Sequence, residues 1–441
     1  MAELEFICTI DNPYVYLPPQ LEERESLGVD LPTTHYDRDL GQLTIDEVGE
    51  NARWLEQLGF DGALIFEQHG HPVGLIGNSM LGAGWLASIT DGIRICAIGP
   101  LINAYATPIR LAEEVALVDN ISGGRLTLGL PLGIGTQYHA LGVMNPATAR
   151  ARHYEATELL IKAMTEPGPF AWEGDFFDIP HVNLWPRPLQ QPHPPIFLPA
   201  AGSRETLEMA ARFRFTYQAT LTPRPVLLKN CETFRQLCAE QGYEADRKQI
   251  ACVVPVHVAE TDEQARRELE PHLTWRFQNV FRFPFHLSFP PGHVSDRSLR
   301  AMMAGGYRSP GNDPGGMSYD EIRQRGLLIA GSPQTVIEEL AELTEAMGAG
   351  RVITSIQGSM PRWMQLKALT LFAQEVIPAF RAPDGLAVWQ RQRPPGHSTK
   401  AELAARRPQP SGRPTAVMAD GSEVDVRTAH LPEQPTRPPL L

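Results

Sequence analysis

Eight short runs constrain this chain more than anything else in it. Each is apolar rather than alternating, and longer stretches of helical spacing lie between most of them. They are Phe6–Ile10, Gly62–Phe66, Ile93–Ile98, Arg125–Leu130, Pro195–Pro199, Phe215–Ala219, Ile250–Val258 and Arg351–Ile356. A strand wetted on one face alternates apolar and polar residues, whereas one apolar throughout is buried on both, as in a parallel sheet covered by helices. Helical spacing falls at Thr44–Leu58, Ile109–Asn120, Ala149–Met164, Arg204–Phe213, Val226–Gln241 and Thr261–Glu270, and Arg362–Phe380 closes the pattern. Eight strands alternating with helices is the count of an α/β chain of the (β/α)8 TIM-barrel type; a doubly wound open sheet satisfies the same alternation.

Two insertions interrupt the pattern, after strands 4 and 7. Residues 167–194 are rich in Pro and aromatics. Residues 271–325 contain "FRFPFHLSFPPGH", whose aromatic density suits a substrate cover over residues 276–290, and continue into a glycine-rich part expected to move. From about Arg381 the chain turns to Pro, Arg and Ser with few large apolar residues. The expected organisation is therefore a barrel over 1–381 and an extended or disordered tail over 382–441.

The formal charge of −12 disfavours nucleic acid or an anionic membrane as the main partner. Five scattered cysteines without C-x-x-C spacing read as small buried hydrophobes in a reducing compartment. The start "MAELEFICTIDNP" has no signal-peptide pattern, and no apolar stretch approaches the ~20 residues that span a bilayer. A cytoplasmic location is expected.

Three stretches carry polar chemistry. In "ALIFEQHGHP" an apolar run delivers Glu67, Gln68, His69 and His71 to a strand end, and imidazoles at i and i+2 on extended backbone can face one cation. The His-x-His of a metal hydrolase needs further ligands from later strand ends, however, and the last strand ends "SIQGSMP" with no acid. In "DNISGGRLTLGLPLGIG" the glycines form neither a complete phosphate loop nor a complete dinucleotide fingerprint. In "PPIFLPAAGSRETLEMAARF" a strand ends in small residues before a helix, so Gly202, Ser203, Arg204 and Thr206 offer free helix N–H groups, two hydroxyls and a guanidinium to a phosphate. An ordinary N-cap accounts for Ser203 by itself.

Taken in order, "LGFDGALIFEQHG", "ATPIRLAEEVALVDNISGGRLTLGLPLGIG", "WPRPLQQPHPPIFLPAAGS" and "GSPQTVIEEL…MGAGRVITSIQGSMP" resemble the bacterial luciferase-like flavin-dependent monooxygenases over nearly all of residues 1–381. The resemblance implies a (β/α)8 barrel holding reduced FMN at the C-terminal ends of its strands. It also implies a separate flavin reductase, a homodimer, and O2 and a small organic substrate as reactants, through a flavin C4a-hydroperoxide. A sister branch uses deazaflavin F420 for hydride transfer, and a flavin-binding protein without turnover is a third possibility. On this reading Glu67, Gln68 and His69 stand beside the flavin, Asn103 faces its ring, Tyr138 and His139 lie at the pocket or on the loop, and the phosphate sits at Gly202, Ser203 and Thr206. One departure matters: the family's Glu-His-His reads Glu67-Gln68-His69 here. Gln68 stands where luciferase-type members carry the catalytic histidine, and an amide cannot serve as a general base. Pro131 likewise replaces a basic residue that some relatives carry.

Overall fold

The eight apolar runs become eight strands, all parallel: β1 (Glu5–Thr9), β2 (Gly62–Phe66), β3 (Arg94–Ile98), β4 (Leu126–Gly129), β5 (Ile196–Ala200), β6 (Thr216–Ala219), β7 (Ile250–Val253) and β8 (Arg351–Ser355). They join in sequence order into a closed barrel, sealed where β1 pairs with β8 from Glu5 opposite Arg351 to Thr9 opposite Ser355. Closure decides between the barrel and the open sheet. The structure, a computed structural model, describes residues 2–17, 29–142, 145–220, 222–279, 284–296, 299–300, 317–356, 358–382, 384–385, 387–391, 415–417 and 423–425.

The missing alternation has its cause in packing. Ile7, Leu64, Cys96, Ile98, Phe197, Ala251 and Ile353 fill the barrel with Phe66 and Val253, while Phe6, Ile65, Ala97 and Leu128 meet the surrounding helices. Those helices are α1 (Arg38–Gln57), α2 (Ser79–Ile89), α3 (Pro108–Ser122), α4 (Gly135–Leu141), α5 (Pro146–Thr165), α6 (Arg204–Arg212), α7 (Arg224–Glu240), α8 (Asp262–Asn279), the short α9 (Phe285–Ser288), α10 (Pro333–Met347) and α11 (Arg362–Leu371). Helix α2 has no counterpart among the sequence-predicted helices because "SMLGAGWLASI" is apolar nearly all round and shows no period.

The run expected as one strand over Ile250–Val258 is two. Pro255 has no N–H for the ladder, so β7 stops at Val253, and Val256–Val258 pairs instead with Ile329–Gly331. The first insertion contains an antiparallel hairpin, Phe170–Glu173 with Asp178–Val182. Glu155 of α5 pins it by accepting from Trp172 Nε1 and the backbone amides of Phe176 and Phe177.

The Ser122-Gly-Gly-Arg125 turn is a structural fastening. The Arg125 guanidinium, 2% exposed, donates to Ser122 O, Thr90 Oγ1, Thr90 O, Ile93 O and Ala87 O. It thereby satisfies the free carbonyls at the end of α2 and ties them to the start of β4.

At the N-terminal ends of the strands the barrel has a charged floor. Glu5 accepts from Arg351 Nε at 2.6 Å, with Lys248 at 3.4 Å and Arg94 at 3.9 Å; Arg351 and Arg94 also donate to Thr216 and Thr127. Val388 and Trp389 are buried, Arg94 lies 5.9 Å from the Trp389 ring, and Asp61 accepts from Phe6 N, Arg381 Nη2 and Trp389 N. The chain divides into two units, Met1–His397 and Ser398–Leu441. In the second, Thr415–Val417 pairs antiparallel with Glu423–Asp425, and the rest of that unit lies outside the described residues. Among the described residues no helix is long and apolar enough to cross a membrane.

Candidate active site

The C-terminal ends of the strands gather three polar groups. The first stands at the end of β2. Glu67, 7% exposed, accepts through Oε2 from Ser79 N (2.9 Å) and Ser79 Oγ (2.8 Å), and through Oε1 from His69 Nε2 (3.1 Å) and, at the long distance of 3.4 Å, Leu101 N. The approach of β3 requires a glycine beside it. Gly99 has φ of +132°, and a Cβ there would stand 2.8 Å from Glu67 Cβ and from Glu67 N. Gln68 donates its backbone N–H to Ile76 O, and its side chain lies against Gly74.

His69 and His71 do not converge. The first faces Glu67, and His71 Nδ1 accepts from Val73 N. Burial, helped by His69, brings His71 down to about 4, so it is a neutral ring at neutral pH. Among the described residues no three His, Cys, Asp or Glu side chains are grouped to hold a metal ion.

The second group lies beyond β3 and β4. Asn103, buried, donates through Nδ2 to Ala149 O at 2.8 Å, and its Oδ1 has no partner among the described residues. Tyr138 on α4 is buried and donates its hydroxyl to Leu132 O at 2.9 Å; burial pushes its phenol well up. His139 is exposed. The His293 ring stands edge-on to Tyr138 at 5.3 Å and 5.9 Å from Phe289, which follows α9. The segment 284–293 of the second insertion thus packs over α4. Residues 280–283 of the expected aromatic cover, and 301–316 of the glycine-rich part, lie outside the described residues.

The third group sits at the start of α6. Gly202 has φ of +105°, and a Cβ there would collide with the Asn230 amide, which donates to Ala201 O. Ser203 Oγ and Thr206 Oγ1 are 2.8 Å apart, and Arg150 Nη1 donates to Thr206 Oγ1 at 3.1 Å. Arg150 comes from α5, more than fifty residues away in sequence, so no local pattern marked it. Arg204 turns elsewhere and pairs with Glu208 at 2.7 Å on the exposed side of α6. A cavity of about 410 Å3 opens beside Arg150 and Thr206, lined also by Leu132, His153, Tyr154 and Met209. Two hydroxyls, a guanidinium and the N-terminal amides of a nine-residue helix suit a phosphate monoester.

Comparison with known proteins shows the family. The family model described as luciferase-like monooxygenase matches residues 26–350. A 4-hydroxyprotoasukamycin monooxygenase of Streptomyces nodosus subsp. asukaensis is 26% identical over 367 residues, covering 81% of this chain and 93% of the relative. The oxygenating constituent of 3,6-diketocamphane monooxygenase from Pseudomonas putida, solved with FMN, superposes with a TM-score of 0.60 at 20% identity, covering 86% of this chain and 99% of that one. An F420-dependent secondary alcohol dehydrogenase superposes with a TM-score of 0.62 at 14% identity, covering 86% and 100%. At such identities the two structures speak to the barrel.

Proposed function

The chain belongs to the luciferase-like monooxygenase family, and on that premise we propose that it is an FMNH2-dependent monooxygenase acting on a small organic substrate. The observation that carries the cofactor is the cradle of Arg150, Ser203 and Thr206 at the head of α6. Arg150 supplies a fixed positive charge, the two hydroxyls supply donors, and Gly202 allows the backbone to approach. Reduced flavin, when bound, supplies the two electrons that activate O2, so that one oxygen atom enters the substrate and the other leaves as water.

The chain's own residues do the rest. The segment over α4, with His293 against Tyr138 and Phe289 against His293, shields the ring end of the site from water. Asn103 Oδ1 offers an acceptor at the end of β3. His69, oriented by Glu67, offers the imidazole that Gln68 does not. The finer step expected from the resemblance, a flavin C4a-hydroperoxide, belongs to this proposal.

A separate reductase and a cytoplasmic location are proposed with it. So is a homodimer, supported by Leu81 (76% exposed) and Leu117 (52% exposed) on α2 and α3, which pack together.

The test is anaerobic titration of the chain with FMNH2 and, in parallel, with reduced F420. Saturable FMNH2 binding that weakens in Arg150→Ala is the expected result. Preferential binding of F420 would overturn the FMN reading in favour of hydride transfer.

A further inference from the structure

Glu67 is held from behind by a residue with no place in the reading above. Ser79 is the first residue of α2 and is fully buried; its amide and its hydroxyl both donate to Oε2 of Glu67. The helix cap is Asn78, whose side chain accepts from Leu81 N, so the Ser79 N–H is one of the first-turn donors that the helix itself leaves without an acceptor. That N–H demands an oxygen. It fixes which end of the residue-67 side chain faces α2 and which faces His69.

The other oxygen, Oε1, meets His69 Nε2 at 3.1 Å. An ionised carboxylate only accepts hydrogen bonds, so Nε2 carries the proton and Nδ1 is the remaining ring nitrogen. Nδ1 has no hydrogen-bond partner among the described residues, and the His69 side chain is 14% exposed.

We propose that Ser79 is a positioning residue: by orienting Glu67 it holds His69 in the Nε2–H tautomer and leaves Nδ1 as the nitrogen available to the reacting molecules. The proposal rests on the flavin-monooxygenase reading for what Nδ1 serves, but the tautomer itself is set by the protein. Gln68 sharpens the point. With an amide in the middle of Glu67-Gln68-His69, His69 is the one titratable ring in that triplet, and its orientation matters the more.

The experiment is 15N NMR of the histidine side chains in the full chain, with the His69 signal assigned by its loss in His69→Gln. The wild type shows the Nε2–H tautomer. In Glu67→Gln the Ser79 N–H still claims the amide oxygen, so the amide NH2 turns to His69 and the tautomer switches to Nδ1–H. In Ser79→Pro, which removes both the N–H and the hydroxyl at a first-turn position where a helix accepts proline, Glu67 is released and the single tautomer gives way to a mixture. The kcat for flavin-dependent substrate oxidation falls roughly tenfold, the scale of one hydrogen bond to a charged group, while flavin affinity stays within error. A His69 that remains Nε2–H in Glu67→Gln overturns the proposal. The NMR readout needs no flavin. Failure of wild-type chain to bind FMNH2 would overturn the functional reading and leave the tautomer result to decide the positioning role.

Discussion

Glu5 and Glu67 are both buried carboxylates, on neighbouring strands at opposite ends of the barrel, and they are held in different ways. Glu5 sits among Arg351, Arg94 and Lys248, three permanent cations, with threonines satisfying the spare guanidinium donors. Burial by itself would raise its carboxyl, but the charge of Arg351, then of Arg94, brings it down to about 2. Among the described residues Glu67 has no arginine or lysine against it; a helix-end amide, a hydroxyl and one imidazole hold it. A carboxylate saturated by fixed charge can only hold the fold. One held by neutral donors beside a histidine can hold a proton-transferring group in place. The two ends of the barrel divide those tasks.

The sharpest way to break the comparison is at the floor. Arg351→Met leaves Glu5 buried without its nearest cation, and denaturant unfolding should show a loss of about 3–5 kcal/mol; FMN affinity of the folded fraction should not change. A loss under 1 kcal/mol would mean that the floor is not a structural fastening.

Acid should reach the same group. The Glu5 pKa is depressed in the folded chain, so its contribution is present above the ordinary carboxyl value of 4.5 and fades as pH falls toward 2. That contribution is on the order of 3 kcal/mol. Glu5→Gln should flatten this part of the stability–pH curve, and an unflattened curve would assign the acid sensitivity elsewhere.

At the mouth, Ser203→Ala combined with Thr206→Ala should weaken FMN binding by about 2 kcal/mol in a fluorescence titration, without moving the unfolding midpoint far. The smallest effect is expected of Arg204→Ala. Its exposed pair with Glu208 is worth about 0.3–0.5 kcal/mol, and flavin affinity should hold. A tenfold loss of affinity in Arg204→Ala would return that guanidinium to the phosphate.

The sequence revealed the two ends unequally. All eight barrel strands were legible because each is covered on both faces and therefore apolar without alternation. A strand, a small residue and a hydroxyl before a helix form a local pattern, which is what singled out Gly202, Ser203 and Thr206 as candidates, and the two hydroxyls stand 2.8 Å apart. Arg150 and Ser79 were not. Each acts across a gap in sequence, on Thr206 and on Glu67, and a single chain carries no mark of such contacts. Arg204 had the right chemistry in the right window, but its position on α6 directs it to Glu208 four residues on. The split after β7 turned on Pro255, which a continuous apolar run obscures.

The most direct test of the account is to mix the anaerobic protein–FMNH2 complex rapidly with oxygenated buffer and follow the flavin absorbance. An intermediate that outlives the reaction of free flavin and decays faster when an oxidisable substrate is added is the expected result. Direct return to oxidised FMN, at the rate seen without protein, would contradict it.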